Sequence, residues 1–94
     1  MDYTSVHNSH EKAVFEAVTA AATRYPGIAD DPELLADVAC VALNRMPPHY
    51  IRHSTDLAFF TTEKERRASR SNIDESVDFA YGYVQARHAM AARR

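Results

Sequence analysis

The residue types best suited to gripping an anionic ligand crowd into residues 37–53. They read Asp37-Val38-Ala39-Cys40-Val41-Ala42-Leu43-Asn44-Arg45-Met46-Pro47-Pro48-His49-Tyr50-Ile51-Arg52-His53. An apolar helical run ends at Asn44-Arg45 and meets a diproline, where neither residue can donate a backbone hydrogen bond and each drives its predecessor out of the helical region. An extended segment follows, in which Tyr50 and Arg52 point one way and His49, Ile51 and His53 the other. Arginine forks onto phosphate, pairs with the O6/N7 edge of guanine and stacks on base planes. Tyrosine and proline offer flat surfaces to a base, and an asparagine amide matches a base edge. This set suits a phosphate-bearing nucleotide better than proton-transfer chemistry. Each member also has a structural reading. Asn44 would end the helix in the left-handed conformation, and Tyr50 would be a core residue with a tethered hydroxyl. Arg45 and Arg52 would pair with Asp37 or Asp56. Cys40, on the apolar helix, reads as a small buried hydrophobe.

Other chemistries fare worse. With glycine only at 27 and 82, no phosphate-cradling glycine loop, dinucleotide fingerprint or serine-hydrolase elbow can be written. His7 and His10 are three apart but imply no third ligand, and His49 and His53 match no metal spacing. No nucleophile–base pair emerges, so neither catalytic nor metal-binding residues are assigned and the chain is read as a non-enzyme. A single cysteine excludes an intrachain disulfide and fits a reducing cytoplasm. No membrane-spanning run or signal-peptide layout is visible. The net charge of −2 hides an asymmetry. Residues 1–43 carry two cations against seven carboxylates, residues 44–70 six against three, and residues 71–94 three of each. The basic share begins at the motif, which suggests an anionic ligand or a complementary subunit. Overall acidity and the diproline argue against a DNA-binding helix-turn-helix.

The elements that must position these residues are mostly helical. Asn8-Ser9-His10-Glu11 reads as a capping box, with Ser9 a competing cap, ahead of a helix whose apolar face is Val14, Ala17, Val18, Ala21 and Tyr25. Pro26-Gly27 ends it. Asp31-Pro32 opens a second helix with apolar residues over more than half its circumference, the expected centre of the fold. Leu57-Ala58-Phe59-Phe60-Thr61 has strand-like composition. Thr62-Glu63-Lys64-Glu65 is another capping box, opening a last helix with a polar, basic first half and a later stripe of Ile73, Val77, Ala80, Tyr81 and Val84, flanked by Phe79, Tyr83 and Met90. Asn72 with Glu75 leaves open a break near Ser69–Asn72, and Asp30-Asp31 and Asp74-Glu75 read as helix-start charges. The expected fold is mainly α, with three to four helices and a short β element after the diproline corner. It forms one domain over residues 1–94 with loose ends at 1–7 and 91–94. At this length a second copy would usefully enlarge the core.

The string Leu43-Asn44-Arg45-Met46-Pro47-Pro48-His49-Tyr50, within residues 37–53, resembles the signature of the late-competence ComFB-like family. Ala58-Phe59-Phe60 and the Glu-rich start of the last helix are similar to its proteobacterial members. The resemblance implies a small, mainly helical, non-catalytic, homodimeric receptor in bacterial second-messenger signalling. Its implied ligand is a cyclic dinucleotide, cyclic di-GMP first and cyclic di-AMP second. Carried over, the contacts are Asn44, Arg45, Pro48, Tyr50, Arg52 and His53. Two positions depart from the family pattern. Gly27-Ile28-Ala29-Asp30 stands where some members carry zinc-binding cysteines, so no zinc is expected. His49 stands where arginine is common, and it is only partly charged at pH 7. The alternative from another class is a ligand-free protein–protein interaction module, its exposed aromatics and basic helix docking a downstream partner.

Overall fold

The computed structural model describes residues 1–53, 55 and 61–92. In chain order these form β1 (His7–Asn8), α1 (His10–Ala21), a 3-10 turn (Ala22–Arg24), α2 (Pro26–Ala29), α3 (Pro32–Arg45), β2 (Tyr50–Ile51) and α4 (Glu63–Ala92). The architecture is mainly helical with one short antiparallel ribbon, as the sequence predicts. The ribbon's partner is unexpected: Tyr50–Ile51 pairs with the N-terminal strand, His7 opposite Ile51 and Asn8 opposite Tyr50. Of the strand-like segment predicted at 57–61, only Thr61 lies within the described residues, and it is not in a strand.

The helix starts follow their sequence signals closely. Asp31 accepts from the Glu33 and Leu34 amides at 3.0 and 3.3 Å, with Pro32 at the first helical position. Thr62 and Glu65 bond reciprocally: the Glu65 amide donates to Thr62 Oγ1 (3.1 Å) and the Thr62 amide to Glu65 Oε2 (3.4 Å). At α1 only half of the predicted box forms. Asn8 Oδ1 accepts from the His10 amide at 3.2 Å, while the Ser9 side chain caps nothing.

Several expectations need correction. Pro26-Gly27 does not terminate α1; the helix tightens into the 3-10 turn at Ala22, and Pro26 opens α2, where its fixed φ suits a first helical position. Helix α4 runs unbroken through Ser69–Asn72, so Asp74 and Glu75 sit mid-helix and compensate no helix start. Helix α3 is buried on one face only, through Val38, Ala39 and Ala42. Leu34, Leu35, Val41 and Leu43 are half-buried, and Cys40 faces out. Cys40 is therefore not the buried hydrophobe its apolar neighbours suggest.

Helix α3 is nonetheless central, packing on α1, α2 and α4. The core joins Val14, Val18 and Ala21 of α1, Ile28 of α2, and the α3 face to Ile73, Val77, Ala80, Tyr81 and Val84 of α4. This is the stripe the sequence predicts, and it begins at Ile73, so the first ten residues of α4 bring no apolar seam to bury. Tyr81 locks the helices together. It is fully buried, stacks on Tyr25 (centroids 4.1 Å apart, planes within 4°), and donates its hydroxyl to the Val18 carbonyl. That carbonyl lies where α1 tightens, since the Ala22 amide bonds to Thr19 instead. An Arg24–Asp78 ion pair at 3.3 Å borders the contact on its exposed side.

Candidate functional site

The diproline corner is held by the N-terminal strap. Beyond the strand pairing, the Ser9 amide donates to the His49 carbonyl at 2.7 Å, and the His49 amide donates to Asn8 Oδ1 at 3.1 Å. Ser9 Oγ and His49 Nδ1 share a further bond of 3.0 Å. Asn8 is one of two buried polar residues described, and its side-chain oxygen serves both the start of α1 and the corner. The backbone of residues 49–51 is thus tied to the N-terminal strap by both strand pairing and hydrogen bonds.

All six predicted contact residues are exposed. Asn44 and Arg45 occupy the last turn of α3. Asn44 is helical rather than left-handed: no described non-glycine residue has positive φ, and the helix closes by extension at Met46. Its amide lies 3.6 Å from Cys40 Sγ, one turn back. Pro48 lies on the corner's outer side. Tyr50 is 65% exposed, which overturns its reading as a core residue. Arg52 and His53 extend beyond β2. Arg45 forms no ion pair with Asp37, and among the described residues Arg52 pairs with no carboxylate; Asp56 lies outside them.

Arg45 is the residue whose setting the sequence could not supply. Its guanidinium carbon sits 4.1 Å from the centroid of the Phe79 ring, a cation–π contact between α3 and α4. Phe79 is half-exposed and continues to Tyr83, one turn on, at 6.2 Å between centroids. Beside this pair is an open cleft of about 460 Å³ whose walls are His10, Arg45, Met46 and Pro47 on one side and the α4 face from Glu65 to Ser76 on the other. Of the six predicted residues only Arg45 lines it.

His10 also faces this cleft, with its ring 6.4 Å from that of His49. Burial holds its imidazole below the ordinary histidine range and the neighbouring His49 pushes the same way, while a hydrogen bond to the Pro47 backbone opposes both. Nothing in the sequence around His10 indicates this placement. Among the described residues no cluster of three or more His, Cys, Asp or Glu is placed to hold a metal, and no helix is long and apolar enough to cross a membrane.

The model of the family Late competence development protein ComFB matches residues 7–88. This chain belongs to the ComFB family. No curated protein matches it. The family match begins at β1, so it takes in the strap that holds the corner as well as the motif itself. Two features of this ComFB chain were hidden in the sequence: the Asn8 bridge and the Phe79 support. Phe79 stood out only as an aromatic flank of the α4 stripe, one position off the buried face.

Proposed function

We propose that this ComFB-family protein is a non-catalytic receptor module for a cyclic dinucleotide, cyclic di-GMP first, acting as a cytoplasmic homodimer in second-messenger signalling. One observation carries the reading. The last turn of α3 and the tethered corner hold Arg45, Tyr50, Arg52 and His53 at exposed positions, and neither guanidinium has a carboxylate partner among the described residues. A charge without a partner is available to a ligand phosphate at little cost in broken ion pairs. Arg45 and Arg52 fork onto phosphate or guanine edges, Tyr50 and His53 stack on or cap the bases, and Asn44 and Pro48 complete the rim. A ligand with two identical halves suits a site shared across a twofold axis.

Calorimetry of the purified chain with cyclic di-GMP and cyclic di-AMP tests this. Saturable heat at low-micromolar ligand, with a raised thermal melt, is the expected result. No heat with either ligand and an unmoved melt would reject the function. The Arg45→Ala, Arg52→Ala double variant is expected to weaken binding by about 100-fold, at roughly tenfold per charge-assisted contact. Unchanged binding by that variant would reject the site. The half-exposed Phe15, Phe79 and Tyr83, with Met90, favour a second reading as a protein-docking module. A partner retained by the double variant, without dinucleotide binding, would select it.

A further inference from the structure

The cleft between the corner and α4 holds opposed chemistries. On the α3 side is Arg45, its guanidinium laid over Phe79. On the α4 side are Asn72 and Glu75, three residues apart and so neighbours on one helix face. Glu75 is exposed, and among the described residues it has neither a hydrogen-bond nor an ion-pair partner; no ion pair joins it to Arg45 across the cleft. The other carboxylate, Glu65, is engaged in capping α4. The volume of about 460 Å³ is within the range of small-molecule sites.

Guanine is polarised in the same way. Its O6/N7 edge offers two acceptors, which an arginine fork matches, while its N1–H and 2-amino group are donors that a carboxylate can accept together. Adenine fails here, because it presents an N1 acceptor where guanine has a donor. We propose that this cleft is the guanine-reading subsite of the cyclic dinucleotide receptor, with Arg45 on one base edge, Glu75 on the other and Phe79 as the positioning residue that holds the guanidinium. The inference rests on the receptor reading above and adds to it the residue that selects guanine over adenine.

The sign of the effect separates this role from simple electrostatics. Each linkage phosphate of the ligand is anionic, so removing a nearby carboxylate should by charge alone strengthen binding. A Glu75 that reads guanine gives the opposite result. In calorimetry with the full chain, Glu75→Gln should weaken cyclic di-GMP binding by about tenfold or more, the scale of one lost bidentate base contact, and leave cyclic di-AMP binding unweakened. Glu75 is exposed and has no partner among the described residues, so the thermal melt of the variant should match that of the parent protein. Independently of any variant, the parent protein should bind the cyclic di-inosine analogue, which lacks the 2-amino group, more weakly than cyclic di-GMP. Equal or tighter cyclic di-GMP binding by Glu75→Gln, or equal binding of the inosine analogue, would overturn the subsite and leave the receptor reading standing. Failure of the parent protein to bind either natural dinucleotide would instead remove the receptor reading itself.

Discussion

Replacing Asn8 by alanine should loosen the corner without touching any residue of the motif. One buried side-chain oxygen accepts two backbone amides, from His10 at 3.2 Å and His49 at 3.1 Å. Each such bond contributes about 1 kcal/mol net, and truncation leaves two amides short of a partner near the protein interior. Loss of the helix cap alone costs about 1 kcal/mol and is one of the two bonds already counted. The sum is roughly 2 kcal/mol, which for a domain of this size lowers the melting temperature by about 8–16 °C. Melts should be compared at one protein concentration, because association would make them concentration-dependent. Asn8→Asp is the control: its carboxylate accepts both amides and caps a helix as well as asparagine, so it should stay within about 0.5 kcal/mol of the parent. Hydrogen exchange at the His49 amide should accelerate in the alanine variant and not in the aspartate one. A melt lowered by less than about 2 °C in Asn8→Ala would refute the view that this oxygen holds the corner to α1.

Two further outcomes follow from buried groups. Tyr81→Phe keeps the ring stacked on Tyr25 but removes the donor to the Val18 carbonyl, and should cost about 1–2 kcal/mol in chemical denaturation. Burial and the adjacent Tyr25 push the Tyr81 phenol above its ordinary range, against a smaller opposing effect of Arg24. The parent should therefore lose stability as pH rises beyond the unfolded tyrosine value of 10.0, and Tyr81→Phe should lose less. His10 has the opposite slope. Its folded pKa lies below the unfolded value of 6.5, so the unfolded chain takes up the proton first and stability falls as pH drops through that window. His10→Gln should flatten the melting temperature against pH below 6.5; an unchanged slope would show that His10 does not carry it.

Much of this protein could be read from local chemistry. The Asp31 cap, the reciprocal Thr62–Glu65 box and the diproline stop depend on groups only a few residues apart, so their signals survive in a linear string. The buried α4 stripe follows from the helical period, and the same period explains why Phe79, one position off that stripe, stays half-exposed. The motif itself, with its corner and exposed cations, was visible because proline punctuates the chain wherever it occurs. Its structural alternatives were harder to settle: whether Cys40 and Tyr50 are covered depends on what packs against them, not on their neighbours in sequence.

Long-range closure decided the remainder. Asn8 and His49 are forty-one residues apart, and nothing in either neighbourhood indicates that one amide oxygen will join them. The ribbon depends on the packing of α1 against α3 and α4, which sets the N-terminal strand beside Tyr50–Ile51. Arg45 met Phe79 for the same reason, since helix packing fixes which exposed side chains face one another across a groove. The sequence by itself determined the helices, the corner and the stock of ligand-binding groups. Tertiary structure alone decided which of those groups are held, which are supported from beneath and which carboxylate faces them, because these are contacts between elements whose separation along the chain carries no periodic signal.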